Sequence, residues 1–179
     1  MNAQILERYL AGALMCCCVA LLSGCDRPPE SNAASQSSPS APEASRVEDG
    51  TSRALTRVEG TPTHNLDRIQ KVDGPYGQQS IRISSVSDTE LAGWAVDGLV
   101  KKEAGGVDIV VDGKVYKANY GLDRPDVTKV LKFPATKSGF SLVIPGNSLS
   151  RGSHTVSVRV IANDGKSYAE GPTLTFVAE

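Results

Sequence analysis

From residue 75 onward, apolar and polar residues alternate with period two, and turn residues interrupt the alternation every few positions. Such a pattern buries one side of an extended chain and wets the other, and a helix of 3.6 residues per turn cannot do this with the same residues. Ile81 and Ile83 open the series and residues 91–97 follow. Val107, Ile109 and Val111 alternate up to Asp112-Gly113, a dipeptide that favours a two-residue hairpin loop. That loop sets Val111 opposite Lys114, Ile109 opposite Tyr116 and Asp108 opposite Lys117. Val107, Ile109, Val111, Tyr116 and Ala118 then share the buried face, and the Asp108–Lys117 pair falls on the other. Phe140, Leu142 and Ile144 form a further strand, ended by Pro145-Gly146. Val156, Val158, Val160 and Ala162 form the next, which Asn163-Asp164-Gly165 turns back into residues 166–169, and Leu174 and Phe176 close the series. The expectation is an all-β domain over residues 75–179, a single β-sandwich of about seven strands. Helix is expected only as one turn at Asp126 to Leu131, after Pro125.

Nothing but this core is available to hold the domain together. The chain has four cysteines, and three of them, Cys16, Cys17 and Cys18, sit inside an apolar run from Tyr9 to Leu22. Adjacent helical side chains diverge by about 100°, so three in a row cannot converge on one metal ion. The run itself spans about 21 Å as a helix, short of the roughly 30 Å hydrocarbon core of a bilayer. With Arg8 before it and the small residues Ser23 and Gly24 after it, residues 1–24 read as a signal peptide. Leu22-Ser23-Gly24-Cys25 resembles the lipobox of bacterial lipoproteins. That resemblance implies cleavage before Cys25, a diacylglycerol on its sulfur and an acyl chain, such as palmitate, on its new amino group. Two or three chains anchor stably where one would not. Cys25 would be the lone cysteine left, which excludes a disulfide. Asp26, next to it, resembles an inner-membrane retention signal, so the expected location is a bacterial membrane, facing the periplasm or cell exterior, with the inner membrane weakly favoured.

Residues 25–74 read as the lipid anchor and a flexible tether. From Asp26 to about Gly50 the chain is rich in Ser, Ala and Pro, with Val47 its one large aliphatic residue, and it cannot bury enough apolar area to offset its ordering entropy. Further on, Leu66, Ile69 and Val72 recur at a spacing of three behind Asn65, which admits a short capped helix ended by Gly74-Pro75.

Composition excludes some classes of partner. The formal net charge is −1, aromatic residues are 5% of the chain, and residues 75–179 hold 12 Lys and Arg against 11 Asp and Glu. There is no basic stripe for nucleic acid. The spacings of the serine-hydrolase, metalloprotease and phosphate-loop motifs are missing. The two histidines, His64 and His154, lie far apart in sequence, and Asp112 and Asp164 read as turn residues rather than calcium ligands. No enzyme, metal or other cofactor is expected.

The one constellation outside a simple turn is Tyr120-Gly121-Leu122-Asp123-Arg124-Pro125-Asp126. Tyr120, Asp123, Arg124 and Asp126 put an aromatic ring, a guanidinium and two carboxylates in one loop. A planar guanidinium fork suits carboxylates or sugar hydroxyls, and a ring offers a stacking face. The simpler reading is that Arg124 pins its own loop through Asp97, Asp123 or Asp126. Trp94 reads as a core residue of the sandwich.

Gly93-Trp94-Ala95-Val96-Asp97, Val111-Asp112-Gly113, Arg124-Pro125-Asp126-Val127, Ser138-Gly139-Phe140, Ile144-Pro145 and Leu149-Ser150-Arg151-Gly152-Ser153-His154 occur in that order. The series resembles an immunoglobulin-like module of extracytoplasmic bacterial proteins, sometimes attached to cell-surface polysaccharide machinery, over roughly residues 80–178. The resemblance implies a fold and a compartment, and no catalytic residue. The expected function is a non-enzymatic interaction or structural module of the cell envelope, held to the membrane through Cys25, with an envelope protein or glycan as partner. A carbohydrate-binding module is the alternative, and an envelope enzyme with an unrecognised site a third.

Overall fold

Every alternating stretch is a strand in the computed structural model, which describes residues 49–179. The readings placed on the signal peptide, on Cys25 and on the tether up to residue 48 lie outside the described residues. In chain order the strands are β1 (Thr56–Arg57), β2 (Thr63–Ile69), β3 (Val72–Asp73), β4 (Arg82–Ile83), β5 (Thr89–Asp97), β6 (Lys102–Glu103) and β7 (Gly106–Val111). Then come β8 (Lys114–Lys117), β9 (Asn119–Leu122), β10 (Gly139–Ile144), β11 (Gly152–Ile161), β12 (Ser167–Glu170) and β13 (Leu174–Ala178). One α-helix, α1 (Pro125–Leu131), and two short 3-10 helices (Thr51–Ala54 and Pro75–Gly77) accompany them.

The strands make an all-β sandwich of one seven-stranded and one six-stranded sheet. The long β11 is the axis of the first: it pairs antiparallel with β7 along one edge and with β12 and β13 along the other. β8 lies outside β7, while β1 and β4 add in parallel to β12 and β13. The second runs β3-β2-β5-β10-β9, with β6 on the far end of β5. The β7–β8 hairpin has the expected register, Val111 with Lys114, Ile109 with Tyr116 and Asp108 with Lys117. Asp112 and Gly113 take φ of 49° and 80°, the left-handed pair that a type I′ turn needs. Ile69, Leu91 and Phe140 of one sheet meet Ile109, Val158 and Phe176 of the other in a continuous core of fully buried side chains.

Two expectations about the domain boundary and the solvent faces fail, each for a reason of packing. The fold does not begin at residue 75: residues 49–73, assigned to the tether, are part of it. The stretch of Leu66, Ile69 and Val72, whose spacing admits a short helix, is instead the β2–β3 hairpin. Residues three apart cannot share one face of a regular strand. Here the register shifts between Leu66 and Arg68, and the extra residue, Asp67, turns both Leu66 and Ile69 inward. The same period of three thus has a strand solution, and pairing with β5 selects it.

The second failure concerns Asp108, which the alternation places on a solvent face. Asp108 is 0% exposed. Residues 49–57 cross the outer face of the seven-stranded sheet as a strap. Gly50 N–H donates to the Val115 carbonyl (3.2 Å) and the Ser52 N–H to Asp108 Oδ2 (2.5 Å). A side chain at position 50 would place its Cβ 2.2 Å from Val115 Cγ1, so only glycine passes there. Ser52 also receives Arg159 Nη1 at 3.5 Å, and Arg159 Nε donates to Glu170 Oε2 at 3.2 Å.

Candidate functional site

Of the loop marked out by sequence, Tyr120 to Leu122 belong instead to strand β9 at the edge of the six-stranded sheet, paired with β10, and the chain from Asp123 on leaves the edge to lie on the sheet's outer face. Pro125 starts α1 and Lys132, at φ 61°, ends it in the left-handed conformation. Leu131, Phe133, Val127 and Ala135 fold down over Trp94 and Val96 as a small second apolar cluster. Trp94 is therefore not in the sandwich core. It alternates with the inward-facing Leu91, Gly93 and Ala95 of β5 and is half-buried beneath this flap.

Arg124 clasps the flap to the sheet. Its Nε and Nη2 fork onto Asp126, at 3.0 Å to Oδ1 and 2.7 Å to Oδ2, and its Nη1 reaches Asp67 Oδ2 at 2.5 Å. Asp67 Oδ1 in turn accepts from Asn65 Nδ2 at 2.5 Å. The bond to Asp126 leads in raising the Arg124 pKa, and the same bond pulls the Asp126 carboxyl down to about 2. Of the three partners expected for Arg124, Asp126 is present and Asp97 and Asp123 are engaged elsewhere. Asp123 pairs with Lys137 at 2.9 Å. Asp97 accepts the backbone N–H groups of Leu99, Val100 and Asn163.

Tyr120 belongs to the frame as well. Its hydroxyl donates to the Ala95 carbonyl and accepts the Ala104 N–H, both at 2.9 Å, and burial pushes its pKa up to about 12. The loop thus brings Arg124 and Asp126 together, leaves Asp123 on a separate pair and turns Tyr120 inward. The bulge residue Asp67, half of the clasp, has no local signal: it lies 57 residues from Arg124, in a stretch whose sequence reads as tether.

His154 stands apart from both. Its Nδ1 lies 2.6 Å from Asp112 Oδ2 and its Nε2 lies 2.7 Å from the Ser150 carbonyl, with the ring stacked on Phe176 at 5.4 Å. Both neighbours are acceptors, so the doubly protonated ring satisfies both. Burial works against that charge, but the Asp112 and Ser150 contacts outweigh it and hold the pKa above its usual value. Asp112 is a turn residue that also braces a neighbouring strand: its Oδ1 accepts the Thr155 N–H at 2.8 Å. Among the described residues no three His, Cys, Asp or Glu side chains gather as metal ligands would.

A concave site lies elsewhere, at the end of the sandwich where the chain crosses from β1 to β2. It is a cleft of about 290 Å³. Val160, Tyr168 and Ala169 line it from one sheet, Thr63, Val96 and Asp97 from the other, and the crossing segment Val58 to Pro62 forms its side. Leu99 stands at its mouth, 93% exposed, with Val58 also partly open to solvent. These residues come from four separated stretches, so no local motif marks the cleft. One trace of it is legible: Leu99-Val100 places two aliphatics in a turn, directly after Asp97-Gly98, where polar residues are the rule.

Comparison with protein-family models and with curated proteins finds no match to this chain.

Proposed function

We propose that this chain is a membrane-anchored, extracytoplasmic lipoprotein of the cell envelope, whose immunoglobulin-like β-sandwich is a non-enzymatic module that makes its contacts at the cleft mouth. The single observation that carries the reading is the cleft with Leu99 at its lip. A leucine left 93% exposed beside a concave apolar wall is costly to keep in water, and covering it returns roughly 1.5–3 kcal/mol. The Arg124 loop is less suited to a ligand, since its guanidinium fork is already occupied by Asp67 and Asp126. A glycan platform needs open rings, whereas Trp94 lies beneath the flap and the Tyr120 hydroxyl is bonded on both sides.

The anchor and the contact surface are tested separately. Cys25→Ala is expected to leave an unprocessed or soluble form, and partition into detergent like the mature wild type would refute lipidation. Leu99→Asp is expected to leave stability within about 0.5 kcal/mol of wild type, as at other exposed sites, while removing site-specific photocrosslinks made in whole cells from position 58. Crosslinks that survive Leu99→Asp but vanish with Arg124→Ala would transfer the contact surface to the flap.

A further inference from the structure

We infer that the partner at the cleft is a protein segment that pairs an aliphatic side chain with a Lys or Arg, the aliphatic group entering the cleft and the cation meeting Glu59. This rests on the reading that contacts are made at the cleft mouth. Two charged residues line the cleft, Glu59 and Asp97, and both are acidic. Asp97 already accepts three backbone N–H groups. Glu59 is exposed and has no hydrogen-bond or ion-pair partner among the described residues. No Lys or Arg lines the cleft, and Arg57, two residues from Glu59 in the chain, is turned to Glu170 at 3.9 Å. A carboxylate ligand would thus enter a site of its own sign, and a cation would find one unengaged carboxylate at the rim.

Size and surroundings favour a polypeptide over a small molecule. At about 290 Å³ the cleft is just below the range of roughly 300–1,000 Å³ usual for small-molecule sites, and it suits one inserted side chain. The apolar surface also continues past the cavity, through Leu99 to Val100, which is 53% exposed. A small ligand in the cavity would leave that surface wet, whereas a chain laid across it would cover both. Thr61 and Ser167 also line the cleft, and their side-chain hydroxyls have no partner among the described residues that would compete with a peptide backbone.

The test uses the full-length, 15N-labelled protein in nanodiscs of neutral lipid and three peptides, acetyl-Gly-Leu-X-Gly-amide with X as Lys, Gln or Glu. Amide shifts at Gly60, Gly98 and Leu99 report binding. The Lys peptide is expected to bind about threefold more tightly than the Gln peptide, and the Glu peptide about threefold less tightly, the scale of an exposed ion pair. The ranking is expected to collapse in Glu59→Gln and to shrink in 0.5 M salt by roughly the screening that a Debye length of a few ångströms implies. Equal binding of all three, or preference for the Glu peptide, overturns the basic partner and leaves the cleft reading standing. No shift at the cleft with any peptide, or shifts confined to the flap, overturns both.

Discussion

On the outer face of the seven-stranded sheet, residues 49–57 lie across Asp108, Arg159 and Glu170. On the outer face of the six-stranded sheet, residues 123–137 lie across Trp94 and Val96. Both faces would be wet in a plain two-layer sandwich, and the chain covers each with a short segment that is largely outside the strands, the strap ending as β1 at the edge of β12. The means are opposite. The strap is short and polar, and it works by partnering charges that the sheet has already sunk, donating to Asp108, accepting from Arg159 and pairing Arg57 with Glu170: Asp108 is fully buried, while Arg159 and Glu170 keep 18% and 16% of their side-chain surface. The flap is apolar beneath, and its charges sit at the rim, with Asp67 at 35% and Asp126 at 62%. A charge at a rim is rehydrated if its partner leaves, whereas a charge under a cover is not. Loss of one partner should therefore cost more on the strap side than on the flap side.

The strap side offers the largest effect. Arg159→Met removes the guanidinium that holds Glu170 and stacks over Tyr168 at 4.9 Å, and keeps much of its volume. Urea unfolding at pH 7 is expected to show a loss of about 2–3 kcal/mol, somewhat under the 3–5 of a fully buried pair. A loss no larger than that of the flap clasp would break the comparison.

Arg124→Ala comes next, with an expected loss of about 1–2 kcal/mol, because the freed Asp67 and Asp126 can reach water. Asp123→Asn is its control: the Asp123–Lys137 pair is 69% and 57% exposed, and the change is expected to stay within about 0.5 kcal/mol. Equal losses from Arg124→Ala and Asp123→Asn would mean that the clasp is an ordinary surface pair.

His154 gives the smallest effect and belongs to neither cover. Its pKa is raised in the folded state, so its contribution is complete below the unfolded value near 6.5 and is lost as pH rises through the folded value. Asp112 acts in the opposite sense. Its pKa is lowered by His154 and Thr155 against the effect of burial, so its contribution is present above the unfolded carboxylate range and lost as pH falls through the lowered value. In denaturant titrations at pH 6 and pH 9, wild type is expected to lose stability towards pH 9 relative to His154→Gln. A wild type and variant with the same pH slope above 6.5 would show that the ring carries no extra proton.

Much of the fold was legible because the signals for it are local. Alternation at 107–111 and 140–144, the Asp112-Gly113 turn and Pro125 ahead of α1 each act over a few residues, and a hairpin with a two-residue loop has one register open to it. The candidate loop was legible in part: Asp126, where Arg124 lands, was one of three carboxylates open to it, beside Asp97 and Asp123. Its other half was not: Asp67 is 57 residues away and takes its place only because a bulge in β2 adds one residue to the strand.

What the sequence by itself determined is the longer strands and helix α1 from residue 81 on, though not β6 or β9, and therefore an all-β sandwich with an apolar middle. What only the tertiary structure decided is which side of each element meets water. Period two says that two faces differ; it does not say that the polar face is exposed. Asp108 and Lys117 carry an outward pattern, yet Asp108 is buried because a segment without alternation of its own, residues 49–57, docks over it. Trp94 carries an aromatic core pattern, yet it faces away from the core because β5 spends its inward positions on Leu91, Gly93 and Ala95. The cleft likewise exists only where the crossing from β1 to β2 meets the turn after β5. Covers and clefts are made by contacts between residues distant in the chain, and local periodicity holds no record of those contacts.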